Sequence, residues 1–110
     1  MKSTIAVSRL AALAQGSRLA VFRLLVQKGP PGLAAGEIAN QLRLAPATLS
    51  FHLKELTNAG LLKSRQEGRY IYYAPDFKAM NALLAYLTEN CCAGSYQTAD
   101  CKPSSTCEVD

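Results

Sequence analysis

Histidine occurs once in this chain, at position 52, and cysteine is missing from its first 90 residues. With a single histidine, on a predicted helix, no cysteine has a nearby His/Asp partner for nucleophilic catalysis. No Cys-X-X-Cys pair precedes a helix, and no phosphate loop or cofactor fingerprint occurs, so reductase and redox-enzyme readings lose their usual signatures. Long apolar runs are missing too. The nearest approach, around Leu19–Val26, is interrupted by Arg23 and is far too short to span a bilayer. The first residues, Met1-Lys2-Ser3-Thr4-Ile5-Ala6-Val7-Ser8-Arg9, lack the continuous apolar core of a secretory signal. The expectation is a cytoplasmic, non-enzymatic chain with no membrane partner and no organic cofactor, whose thiols stay mostly reduced. No internal repeat is present.

What remains is room for one domain: 110 residues, 49% hydrophobic and 18% charged, which reads as globular. A lone domain this small buries a limited share of its surface, so a second copy would help it. The net charge of +4 weakly favours a polyanionic partner.

Periodic patterns fill residues 1–89. Ile5, Ala6, Leu10, Leu13 and Ala14 share helical spacing over 4–14. A second helix is predicted over Ser17–Lys28, with Leu19, Phe22, Leu25 and Val26 inward, stopped by Gly29-Pro30-Pro31-Gly32. A short third helix spans about Ala34–Leu42. A fourth starts at Pro46, which suits a first helical turn, and runs to Asn58 with Leu49, Leu53 and Leu56 buried. Leu61–Arg65 and Tyr70–Ala74 read as strands around the tip Gln66-Glu67-Gly68-Arg69. Pro75-Asp76 opens a last helix, to about Glu89, with Phe77, Met80, Leu83, Leu84 and Leu87 as its stripe. The fold class expected is mainly α with a small β-hairpin, a winged helix-turn-helix in the order ααααββα.

In such a motif the second helix of the pair enters the major groove. That places Thr48, Ser50 and His52 within reach of base edges or phosphates, and Lys54 near a phosphate. Arg65 and Arg69 flank the hairpin turn, where a wing meets the DNA backbone or minor groove. The plainer alternatives are a surface or capping histidine and two solvated hairpin charges.

The run Ala45-Pro46-Ala47-Thr48-Leu49-Ser50-Phe51-His52-Leu53-Lys54-Glu55-Leu56, then Ala59-Gly60-Leu61-Leu62, Arg65, Gly68-Arg69 and Tyr72-Tyr73, resembles the recognition helix and wing of ArsR/SmtB metalloregulatory repressors. Gln15-Gly16-Ser17-Arg18-Leu19 is similar to that family's opening of the second helix. The resemblance covers about residues 5–90. It implies a homodimer joined through its first and last helices, sitting on an imperfect palindrome in operator DNA and released by an inducer.

Cys91, Cys92, Cys101 and Cys107 all fall in the last 20 residues, spaced C-C-x8-C-x5-C, in a stretch rich in Ser, Thr and Cys that shows no period. Residues 91–110 are therefore expected to be a flexible Cys-rich ligand-binding tail behind a 1–90 DNA-binding and dimerisation domain. Thiolates favour thiophilic ions. The spacing is not that of paired Cys-X2-Cys zinc sites, although four thiolates on a flexible tail could still take zinc or cadmium. Trivalent arsenic, As(III), or antimony, Sb(III), takes three thiolates in a pyramid. The family's familiar arsenic pair lies in the helix before the recognition helix, where this chain has Ala34-Ala35-Gly36-Glu37-Ile38-Ala39. Its zinc sites use acids and histidines on the last helix, which here has no histidine and only Asp76 and Glu89 as acids. Asn90-Cys91-Cys92-Ala93-Gly94 and Cys101 resemble instead the members with a vicinal pair and a third cysteine after the last helix. That likeness implies Cys91, Cys92 and Cys101 as ligands, with Cys107 an alternative third. A cadmium- or zinc-responsive repressor, a thiol-redox-responsive one and a tail without a regulatory role stay open beside it.

Overall fold

The helical periods become α1 (Ser3–Leu13), α2 (Gly16–Lys28), α3 (Ala35–Leu42), α4 (Pro46–Asn58) and α5 (Phe77–Leu87), in a computed structural model that describes residues 1–90. Side chains set several of the boundaries. Gln15 accepts a hydrogen bond from the Arg18 amide at 2.8 Å, and Asp76 accepts one from the Ala79 amide at 3.1 Å. Glu37 reaches back to the Ala34 amide at 3.0 Å. Pro46 opens α4 without needing a donor.

Strands β1 (Leu33–Ala34), β2 (Leu62–Glu67) and β3 (Tyr70–Pro75) form an antiparallel sheet in the order β1-β3-β2. The hairpin is longer than its sequence suggests. Leu62 pairs with Pro75 and Glu67 with Tyr70, leaving a two-residue turn of Gly68 and Arg69. Gly68 has φ +65°, the geometry that keeps a two-residue turn in step with the strand twist. The expected four-residue tip is thereby corrected: Gln66 and Glu67 lie within β2, opposite Ile71 and Tyr70, and Arg65 stands in the strand opposite Tyr72. Strand β1 was not foreseen. Two residues carry no period, and only their pairing of Leu33 with Tyr73 and Ala34 with Tyr72 makes them a strand. Gly32 has φ +79°, and a Cβ there would run into the Tyr73 carbonyl, so the chain enters β1 at a spot only glycine fills.

The core is built from Val21, Leu25, Ile38, Leu49, Leu56 and Leu61, all fully buried. Each buried aliphatic side chain contributes roughly 1.5–3 kcal/mol relative to exposure. One inward and one outward assignment need correcting. Leu19 is 44% exposed, while Val21 is fully buried. Val21 lies four residues before Leu25 and shares its face; Leu19 lies six before and turns to the flank. His52 is 6% exposed, not on the outer face of its helix. It sits three residues after Leu49 and four before Leu56, so helical geometry carries it inward with them. On α1 and α5, Ile5, Leu10, Leu84 and Leu87 stay exposed in the single chain. Among the described residues no single helix is long and apolar enough to cross a membrane.

Candidate nucleic-acid interface

Helices α3 and α4 are joined by Arg43, Leu44 and Ala45. Arg43 makes this turn in the left-handed region, φ 56° and ψ 47°. For a residue with a Cβ that conformation costs roughly 1–2 kcal/mol. The same geometry sets an exposed guanidinium just before the start of α4. Ala45 provides no side-chain cap, so the first amides of α4 are left for an outside acceptor.

With Leu49, His52, Leu53 and Leu56 buried, the opposite side of α4 carries Ala47, Phe51, Lys54 and Asn58, all exposed. Their spacing of four, three and four residues makes one ridge. Thr48 and Ser50 stand exposed on its two flanks. A polar cleft borders each side of the helix. The one toward the sheet, 250 Å³, is lined by Ser50, Leu53, Lys54, Thr57, Asn58, Ser64 and Tyr73. Ser64 and Tyr73 face each other across β2 and β3. Thr57 Oγ1 is buried here and has no hydrogen-bond partner among the described residues. The other cleft, 290 Å³, includes Ser8, Arg18, Glu55 and Asn58.

Of the sequence-predicted DNA residues, Thr48, Ser50 and Lys54 are therefore exposed on one helix, and Arg69 is exposed in the turn of the wing. His52 is set apart from them. Its ring packs inward, with Nδ1 3.5 Å from Arg18 Nη1. Arg65 is also engaged. It donates to Glu67 Oε2 at 2.7 Å and to the Pro31 carbonyl at 3.1 Å, and it lies 5.0 Å over the Tyr72 ring. These contacts hold it along the sheet and not at the tip.

Three arginines escaped the sequence reading. Arg43 has been described. Arg18 Nε donates to the Ala12 carbonyl at 2.7 Å and so joins the end of α1 to His52 on α4. Arg9 Nε donates to the Ala59 carbonyl at 3.0 Å, and its Nη1 lies 3.5 Å from the Ala79 carbonyl. One side chain of α1 thus touches the end of α4 and the first turn of α5. Position alone could have flagged Arg18, since it opens a helix amid apolar residues; nothing local marks Arg9.

Among the described residues no group of three His, Cys, Asp or Glu side chains could hold a metal ion. The predicted ligands Cys91, Cys92, Cys101 and Cys107 lie outside the described residues.

Residues 13–65 match a family model described as a helix-turn-helix domain. The HTH-type transcriptional regulator YgaV of Escherichia coli is 31% identical over 79% of this chain and 86% of its own length. A cadmium resistance transcriptional regulatory protein, the CadC homolog of Staphylococcus aureus, is 33% identical over 66% of this chain and 59% of its own. A crystal structure described as a possible transcriptional regulator for arsenical resistance superposes with a TM-score of 0.64 at 29% identity, covering 73% of this chain and 80% of that one. The homodimeric winged helix-turn-helix domain of Mb0332 from Mycobacterium bovis, a possible ArsR-family regulator, gives 0.63 at 28% identity over 86% and 88%.

A recognition helix with an exposed ridge beside a two-stranded wing, together with these relatives, defines a DNA-binding transcriptional regulator and not an enzyme. Within that class the chain belongs to the ArsR/SmtB family of winged helix-turn-helix regulators.

Proposed function

We propose that the chain is a homodimeric repressor that leaves its operator when trivalent arsenic or antimony is held by the thiolates of Cys91, Cys92 and Cys101, with Cys107 an alternative third ligand. The observation that carries the DNA half is the α4 ridge with Thr48, Ser50 and Lys54 exposed around it and Arg69 exposed on the wing. A helix seated in the major groove presents such groups to bases and phosphates. The homodimeric state of the M. bovis relative and the exposed apolar side chains Ile5, Leu10, Leu84 and Leu87 support pairing through α1 and α5.

The inducer half rests on donor chemistry. The described residues offer no cluster of donors, whereas four soft thiols follow Asn90. The relatives named for arsenical and cadmium resistance support a thiophilic ion. When bound, the ion supplies strong bonds to three thiolates, and the chain does the rest. Helix α5 ends at Leu87, four residues before Cys91, and Arg9 ties α5 and α4 to α1. A shift of α5 would be felt at the recognition helix through that contact. Coupling of this kind is typically ~1–3 kcal/mol, about 5- to 150-fold in affinity.

The test is fluorescence anisotropy of the reduced protein on the DNA upstream of its own gene, titrated in parallel with arsenite, antimonite, cadmium, zinc and an oxidant. Release by arsenite near one ion per subunit, lost in Cys91→Ser and Cys92→Ser, supports the proposal. The cadmium-named relative makes cadmium the second reading. Release by cadmium, zinc or oxidant alone keeps the regulator and overturns the arsenic assignment; an inducible Cys92→Ser protein overturns the vicinal pair.

A further inference from the structure

The chain has three phenylalanines, and only one of them is largely in water. Phe22 is 6% exposed and Phe77 is partly covered, but Phe51 is 55% exposed. It stands on the outer ridge of α4, one turn after exposed Ala47. The inward place beside it is taken by His52, whose ring centroid is 5.8 Å from that of Phe51 with the planes tilted by 58°. With His52 buried against Arg18, Phe51 has no core site to turn into. Ala47 and Phe51 thus form a short apolar strip in an otherwise polar surface, framed by Thr48, Ser50 and Lys54.

What gives this strip meaning is its position on the helix. Its place in the first two turns of the recognition helix continues the DNA-binding face, and that face meets the major groove. There one group is apolar, the C5 methyl of thymine, and alanine and phenylalanine side chains are among those that recognise it. We infer that Phe51, with Ala47, reads thymine methyl groups in the operator, and that this contact sets base preference where the ring meets the groove. The inference rests on the DNA-binding reading above. The polar neighbours serve phosphates and base edges, and the phenyl ring adds contact with the methyl group, which takes part in no hydrogen bond.

The experiment begins with duplexes enriched by the full-length protein from a random-sequence pool. In the tightest one, each thymine is replaced in turn by deoxyuridine, which removes only the methyl group. Binding is measured for the wild type, Phe51→Ala and Phe51→Leu, with thermal unfolding confirming that each variant is folded. The wild type is expected to lose about fourfold in affinity for each methyl covered by the ring, the worth of one buried methyl group. Phe51→Ala binds more weakly and loses most of the methyl effect at the thymines the ring covers; Phe51→Leu keeps a larger part of it. A wild type indifferent to every methyl overturns the inference, as does an undiminished methyl effect in Phe51→Ala. An unchanged DNA affinity in Phe51→Ala with an altered oligomeric mass assigns the ring to a protein contact and overturns it too. If the wild type enriches no duplex, the DNA-binding reading itself fails.

Discussion

Arg18 Nη1 lies 3.5 Å from His52 Nδ1, while Nε of the same guanidinium donates to the Ala12 carbonyl at 2.7 Å. An arginine has no acceptor, so His52 Nδ1 accepts in this contact. One side chain at the start of α2 therefore joins the end of α1 to the buried side of the recognition helix. Replacing Arg18 with Met keeps much of the aliphatic stem and removes both donors. Bonds from charged donors are worth roughly 1.5–3 kcal/mol each at full strength, and the long contact to His52 is worth less. Arg18→Met is expected to lower the unfolding free energy by about 1–3 kcal/mol in urea titration. Unchanged stability would show that neither bond orients α4.

Arg43 stores strain at the turn that opens the recognition helix. Glycine adopts its backbone angles without a Cβ penalty. Arg43→Gly should therefore raise stability by about 1 kcal/mol, even though a side chain is lost. The same variant removes an exposed cation beside α4, and its DNA affinity should fall. If Arg43 neutralises one phosphate per subunit, the slope of log affinity against log salt becomes shallower by about 0.9 per subunit. A stabilised variant with an unchanged slope would make Arg43 a residue of the turn alone.

Gly32 tests the third strand. A Cβ at this position meets the Tyr73 carbonyl, and the positive φ adds strain. Gly32→Ala must push β1 away from β3 and break the pairing of Leu33 with Tyr73. Leu33 is 5% exposed, so core packing is disturbed along with the sheet. The expected cost is about 2–4 kcal/mol, in the range of strained backbone plus lost core contacts. Gly68→Asn is the control. Its positive φ strains any side chain but a Cβ there meets nothing, so the cost should stay at about 1–2 kcal/mol, the backbone strain alone.

The helices were legible because apolar spacing and stop signals are local. Pro46 and Asn58 bound α4 as read from the sequence, and Gly29 ends α2. What depended on the packing partner was harder to see. Apolar spacing alone gives α4 the stripe Leu49, Leu53 and Leu56 and leaves His52 outside it; the neighbouring Arg18 makes a buried imidazole acceptable there. Leu19 is as apolar as Leu25, but it turns toward α5, where it lines an apolar cleft with Phe22, Val26, Met80 and Leu84. The two-residue strand Leu33–Ala34 exists through its partner alone. Lys54 and Arg69 could be picked as DNA candidates because their motif is local. Arg9 could not, since its acceptors lie 50 and 70 residues away.

Leu84 and Leu87 on α5 are 53% and 52% exposed, more than a 110-residue domain should leave in water on one helix without a partner. In the proposed homodimer they face the second copy. Leu84→Asp puts a charge into that contact but adds little strain to the single chain, because the side chain is half in solvent already. The variant should sediment as one chain, where the wild type sediments as two. Its affinity for a two-half-site operator should fall by about a hundredfold or more, the gain from joining two binding modules being 10²–10⁴. Binding to a single half-site should be nearly unchanged, and so should the binding of arsenite to the reduced thiols, followed by ultraviolet absorbance. A variant that stays dimeric would place the subunit contact elsewhere. One that becomes monomeric yet keeps full operator affinity would mean that two recognition helices on one duplex do not need to be joined through α5.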